Sequence, residues 1–173
     1  VTEPIVDACA RVNPDTAFGL YLHVPFCATR CGYCDFNTYT AGELGSSSSP
    51  RSWFAALRTE LAIAARTLAA APAGVPMADT VFVGGGTPSL LGGRGLAEVL
   101  DVVRDTFGVA PDAEVTTESN PESTSAEFFA ELREAGYTTV LATNQQWERR
   151  AWMREQLGYD GLCDIDGYSC TLG

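Results

Sequence analysis

The sequence predicts an α/β fold, a parallel sheet covered by helices. Three observations carry that prediction. Short apolar or β-branched runs alternate with stretches of helical periodicity, and each run stops at a glycine or proline turn. Strand, helix, strand, helix in that order also requires crossover connections, which set successive strands parallel. With 173 residues, 46% hydrophobic and 19% charged, the composition suits one globular domain or part of a larger one.

The first element is the alternating run at 19–24, GLYLHV, a strand that ends at Pro25. Residues 42–50, GELGSSSSP, read as a flexible linker, with Ser49 as N-cap and Pro50 as first residue of the next helix. Trp53, Leu57, Leu61, Ala64 and Leu68 then trace one apolar stripe, which Pro72 closes. Val81, Phe82 and Val83 run straight into three glycines, as a buried strand opening into a tight loop would. Leu96, Val99, Leu100, Val103 and Phe107 supply the next helical face.

Residues 114–118, EVTTE, form a third β-branched run that stops at Asn120-Pro121. Thr124 and Glu127 have the spacing of a capping box ahead of Phe128, Phe129 and Leu132, and Gly136 stands where a helix C-cap belongs. Residues 138–141 are expected to form a fourth strand of the same sheet. From Ala142 the pattern changes. Two of the three tryptophans and a cluster of arginines follow with no further clear strand, and Gln145, Gln146, Arg149 and Arg150 read as a solvated helix face.

The charge balance of 22 acidic against 11 basic residues, net −11, opposes binding to nucleic acid or to anionic lipid. No apolar run is long enough to insert into a membrane, and residues 1–15 lack both the basic and the apolar part of a leader, so the expected location is cytoplasmic.

Six cysteines in such a chain point to metal ligation or redox chemistry before disulfides. Cys27, Cys31 and Cys34 are separated by three and two residues on the loop after the first strand. Three thiolates at that spacing suit an iron–sulfur cluster. Structural zinc would want a fourth ligand nearby, whereas Cys163 and Cys170 are remote and His23 is the only histidine. A four-iron cluster held by three cysteines keeps one iron open to a substrate or cofactor. Core packing asks for no such spacing. Cys9, Cys163 and Cys170 read as incidental thiols, and His23 as a packed or hydrogen-bonded strand residue.

The string YLHVPFCATRCGYCDF around these cysteines resembles the radical S-adenosylmethionine (SAM) family, in the branch of oxygen-independent coproporphyrinogen III oxidases and heme chaperones. The runs at 84–89, GGGTPS, and 118–123, ESNPES, resemble the same branch, in the same order and at strand ends. The likeness runs from Phe18 to Val140 and implies the N-terminal portion of a partial (β/α)6 TIM-type barrel. It further implies that Cys27, Cys31 and Cys34 hold three irons of a [4Fe–4S] cluster whose fourth iron takes the amino and carboxylate groups of SAM. Tyr21 and Tyr33 match positions near the cofactor, Gly85, Gly86 and Thr87 match contacts to its methionine part, and Glu118 matches an acidic contact. The implied chemistry is one-electron cleavage of the SAM carbon–sulfur bond to a 5′-deoxyadenosyl radical, with an electron donor as partner.

The oxidases continue the motif to another cysteine two residues after the third, where this chain has Phe36. That favours the heme chaperone branch, with heme or porphyrin and a heme-acceptor protein as partners of the complete protein. An oxidase acting on coproporphyrinogen, and a non-catalytic iron–sulfur module, are the alternatives. After residue 140 the branch's Ser-x-Gly-x-Gln-Ser pattern gives way to LATNQQ, with Gln145 or Gln146 as the only stand-ins. The expected division is therefore an N-terminal extension at 1–17, a partial radical SAM core at 18–141, and an atypical tail at 142–173 ascribed to a frame error or truncation. Half a barrel would expose apolar surface and a bare sheet edge.

Overall fold

The computed structural model of the chain describes residues 16–32, 34–40, 43, 49–71, 73–144, 146–159 and 161–169. The expectations for Tyr33, Cys9, Cys170, Pro72, Gln145, most of the linker and residues 1–15 fall outside these. In chain order the strands and helices are β1 (Gly19–Val24), β2 (Phe26–Cys27), β3 (Tyr39–Thr40), α1 (Pro50–Ala69), β4 (Ala78–Gly85), α2 (Gly92–Phe107), β5 (Val109–Thr117), α3 (Ala126–Glu134), β6 (Val140–Thr143), α4 (Trp147–Leu157) and β7 (Ile165–Tyr168).

The main sheet has the order β1-β4-β5, parallel throughout, as expected. Tyr21 lies opposite Phe82, and Phe82 opposite Thr116. Strand alternation sends Leu22, Val24, Val81 and Val83 to one face, where they are buried with Leu57 and Leu61 of α1 and Leu96, Val99, Val103 and Phe107 of α2. Full burial of one such side chain stabilises by about 1.5–3 kcal/mol, so the two predicted helical stripes account for the packing of both helices. The opposite face is open: Tyr21 is 58% and Phe82 37% exposed.

The helix boundaries follow from local chemistry. Ser49 caps α1 by accepting from the Ser52 N–H at 3.2 Å, while Ser52 Oγ accepts from the Ser49 N–H at 2.9 Å, and Pro50 occupies the first turn. The cap of α3 differs from expectation. Asn120 begins a short 3₁₀ turn over Pro121–Ser123 by accepting from the Glu122 N–H, and Thr124 is consumed as that turn's C-cap. Ser125 therefore caps α3, accepting from the Phe128 N–H at 3.2 Å.

Two further corrections concern strands. The third strand begins five residues earlier than expected, because Val109 already pairs with Ala78 before a register irregularity. The fourth, β6, does not join the main sheet: it pairs in parallel with β7, a strand that the sequence pattern does not predict. The Asp164 carboxylate fastens this pair, accepting from the Thr139 N–H at 2.7 Å and hydroxyl at 2.8 Å. The tail thus forms a βαβ unit with its own small core of Met153, Tyr159 and Tyr168. Arg150, expected in solvent, is partly buried and lies over the rings of Trp147 and Tyr168, at 5.6 and 5.3 Å. Among the described residues no helix is long and apolar enough to cross a membrane.

Candidate cofactor site at the strand ends

Because β1, β4 and β5 are parallel, their C-terminal ends share one edge, and the three sequence motifs leave the sheet there together. The cysteine loop is closed at its base. Phe26 and Cys27 pair with Tyr39 and Thr40, and the Tyr39 N–H donates to the Pro25 carbonyl at 2.8 Å. Arg30 Nη2 donates to the Thr38 carbonyl at 2.6 Å, and Arg30 Nη1 lies 3.5 Å from the Glu43 carboxylate. Hydrogen bonds from the Thr40 N–H and hydroxyl, with a smaller contribution from Arg30, hold the Glu43 carboxyl below its ordinary range. Cys27 and Cys34 are half-buried, Cys31 is exposed, and all three are free.

The glycine turn docks on the approach to that loop. The Gly86 N–H donates to the Val24 carbonyl and the Thr87 N–H to the Phe26 carbonyl, both at 2.7 Å. This approach demands glycine for want of space: a Cβ on Gly86 would sit 2.4 Å from the Phe26 carbonyl oxygen and 3.0 Å from Cys27 Sγ. Gly85 adopts φ +115°, and a Cβ there would meet the His23 ring at 2.8 Å. The Thr87 hydroxyl points to Cys27 Sγ at 4.0 Å.

Glu118, the first residue beyond β5, returns to the same turn: its Oε2 accepts from the Gly85 N–H at 2.9 Å. Its own N–H donates to the Val83 carbonyl at 3.0 Å. On β1, the Tyr21 hydroxyl and His23 Nδ1 are 2.9 Å apart, and His23 Nε2 lies 2.9 Å from the Asn37 carbonyl of the cysteine loop. His23 is therefore hydrogen-bonded on both sides, as expected of a strand residue. The Tyr21 ring stacks on Phe82 at 5.8 Å between centroids. Cys27, Tyr21, Gly85, Gly86, Thr87 and Glu118 so meet at one edge, while Cys31 and the half-buried Cys34 stay on the cysteine loop, Cys34 Sγ 4.0 Å from the Thr38 hydroxyl.

Among the described residues no three His, Cys, Asp or Glu side chains are drawn about a single point. The donor set still suits an iron–sulfur cluster. Three free thiols share one closed loop, Cys31 exposed and Cys27 and Cys34 half-buried, so their sulfur donors are open to a metal. A cleft of about 660 Å³ lies further along, lined by Asn120, Glu122, Arg149, Trp152, Met153 and Tyr159 among others. It borders the β5 loop and α4 and does not include the cysteines.

The family model described as Radical SAM superfamily matches residues 21–156. The chain belongs to the radical SAM superfamily. Within it, the chain is similar to a heme chaperone HemW of Mycobacterium tuberculosis, 64% identical over 127 residues, which cover 73% of this chain and 31% of that protein. A heme chaperone HemW of Escherichia coli is 35% identical over 122 residues, covering 70% of this chain and 30% of its own. An oxygen-independent coproporphyrinogen III oxidase of Bradyrhizobium diazoefficiens is 28% identical over 139 residues, covering 77% and 29% respectively. Among solved structures, coproporphyrinogen III oxidase from Escherichia coli matches with a TM-score of 0.65 and 25% identity, over 87% of this chain and 32% of that one. The chain thus spans about a third of the length of the curated relatives it matches. The α/β, TIM-type reading of the fold agrees with that structural neighbour.

Some contributors to this edge have no task at the site that the sequence assigns. Trp53 of α1 donates its indole N–H to the His23 carbonyl at 3.2 Å, anchoring the helix to the end of β1. Ser89, just past the glycine turn, is 1% exposed and hydrogen-bonds into the β5 loop. Both look like ordinary helix or turn residues along the chain. Only their position within the quoted motifs would have flagged Ser89 and Ser123.

Proposed function

We propose that this chain forms the cofactor-binding part of a heme chaperone of the radical SAM type. Cys27, Cys31 and Cys34 would ligate a [4Fe–4S] cluster, with the glycine turn and Glu118 binding SAM beside it. When bound, the pair supplies one-electron reductive cleavage of SAM. The observation that carries the reading is the joining of three motif loops at one sheet edge by direct bonds: Gly86 to Val24, Thr87 to Phe26, and Gly85 to Glu118.

Each residue has a definite task in that reading. The cysteine thiolates bind iron through sulfur, and the loop's base pairing holds Cys27 in place. Gly85, Gly86 and Thr87 would present backbone to the methionine part of SAM, the two glycines letting the turn dock against His23 and Phe26, where a Cβ would clash. The Glu118 carboxylate accepts hydrogen bonds from ammonium or hydroxyl donors. Tyr21 borders the same space from β1, and Tyr33 belongs to the cysteine loop by sequence. A reducing compartment such as the cytoplasm suits thiols that must stay unpaired. Heme or a related porphyrin, an electron donor and a heme-acceptor protein are the proposed partners.

Phe36 in place of a further cysteine, together with 64% identity to a heme chaperone, favours the chaperone over the oxidase. The decisive experiment is anaerobic reconstitution with iron and sulfide, followed by electron paramagnetic resonance with and without SAM, and a separate heme titration. A cluster signal perturbed by SAM in this chain, and heme bound by the full-length protein, is the expected result. A cluster blind to SAM would reduce the chain to an iron–sulfur module. Conversion of coproporphyrinogen III by the full-length protein would assign it to the oxidases. Cys27→Ser, Cys31→Ser and Cys34→Ser should each lose most of the iron, and Cys163→Ser should keep it.

A further inference from the structure

Two serines close the motif loops without a role in the cofactor chemistry. The Ser89 hydroxyl is buried, lies 2.6 Å from Ser123 Oγ and accepts from the Asn120 N–H at 3.1 Å. Ser123 Oγ in turn donates to the Asn120 carbonyl at 3.0 Å. Either hydroxyl can donate in the 2.6 Å contact, and the arrangement that uses both serine hydrogens has Ser89 donating to Ser123 Oγ and Ser123 to the Asn120 carbonyl. The result is a closed circuit: Asn120 N–H to Ser89, Ser89 to Ser123, Ser123 to Asn120 C=O.

This circuit spans the two motif loops at a defined offset from the proposed site. Ser89 follows Thr87 by two residues, and Asn120 follows Glu118 by two. On the site side the same two loops are joined by Glu118 Oε2 and the Gly85 N–H at 2.9 Å. The bond from the Gly85 N–H to Glu118 is part-buried, as are the two bonds of Ser89, and of these side chains only Ser89 is fully buried. The circuit is thus a second tie between the two loops, anchored at the buried Ser89 and added to the bond from the Glu118 N–H to the Val83 carbonyl.

We propose that Ser89 and Ser123 are positioning residues, a hydroxyl clasp that holds the Glu118 loop at a fixed distance from the glycine turn so that both can close on one SAM molecule. This rests on the proposed binding of SAM, but the clasp itself is a property of the chain without cofactor. It predicts that breaking the clasp disturbs Gly85, which neither serine touches through a hydrogen bond.

The test compares the full 173-residue chain with its Ser89→Ala, Ser123→Ala and doubly substituted forms. Amide hydrogen exchange of the cofactor-free chains is read by NMR, and SAM is titrated into the reconstituted ones. The Asn120 amide should lose protection in Ser89→Ala, and the Gly85 amide should exchange about tenfold faster in both single variants. Iron content should hold while the SAM dissociation constant rises about tenfold, equivalent to about 1.4 kcal/mol. The double substitution should add little, since one removal already opens the circuit. Should Ser89→Ala not fold, Ser123→Ala, at a partly exposed position, carries the same comparison. A Gly85 amide that keeps its wild-type rate after the clasp is broken would overturn the proposal, as would unchanged SAM affinity. A wild-type chain that binds no SAM would instead defeat the SAM reading, with the Gly85 exchange rate still deciding the clasp.

Discussion

At the scale of single residues, space at the glycine turn is the sharpest constraint. A methyl group on Gly86 would be driven against the Phe26 carbonyl at 2.4 Å, which is backbone and cannot swing aside. Gly86→Ala should therefore lower stability by about 1–3 kcal/mol in urea unfolding and reduce iron uptake on reconstitution. Gly32 offers the contrast within the cysteine loop, because a Cβ there meets nothing within 4 Å. Gly32→Ala should stay within about 0.5 kcal/mol of wild type and retain iron. Cys163, read as incidental, is in fact part of the main core, and burial pushes its thiol up from 9.0 to about 11. It should react with iodoacetamide far more slowly at pH 8 than the exposed Cys31, measured by mass spectrometry.

At the scale of elements, the helices are held by caps and by apolar stripes of distinct magnitude. Removing the Ser49 hydroxyl by Ser49→Ala should cost about 0.5–2 kcal/mol, whereas Leu96→Ala in the α2 stripe should cost about 2–5 kcal/mol. Thermal or urea unfolding of the two variants distinguishes a frayed helix end from a cored packing layer. The cap of α3 gives an element-level lesson. Thr124 and Glu127 have the spacing of a capping box, yet Asn120-Pro121 nucleates a 3₁₀ turn that takes Thr124 and shifts the cap to Ser125. Ser125→Ala should then destabilise α3 more than Glu127→Ala does, as read by amide exchange of Phe128.

At the scale of the whole molecule, titration links the core to the tail unit. A folded-state pKa raised above the unfolded value favours the neutral Cys163 thiol in the fold. Its contribution is complete below pH 9.0 and is lost as pH climbs toward about 11. The Asp164 carboxyl is depressed, chiefly by the Thr139 N–H and then by its hydroxyl, so that contribution is present above 3.8 and fades as pH falls below it. Stability measured from pH 3 to 11 should thus drop at both ends, with Cys163→Ser flattening the alkaline limb and Asp164→Asn the acid one.

Much of this was legible in the sequence. The β1 and β4 runs and the α1 and α2 stripes depend on side-chain periodicity over a few residues, and the cysteine loop on spacing within eight residues, so local reading suffices. Pairing was less accessible. β7, IDGY, carries too little apolar alternation to announce a strand, and it forms by pairing with β6 some twenty-five residues earlier. The same holds for the site edge. Sequence placed the motifs on three strand ends, but the bonds from Gly86 to Val24, from Gly85 to Glu118 and from Asn120 to Ser89 join segments that only tertiary folding brings together. The motifs by themselves determined the family, because thiol spacing and glycine turns are local facts. Their union into one edge was decided by the parallel sheet, because hydrogen bonds and exclusion of side chains act over a few ångströms, whatever the distance along the chain.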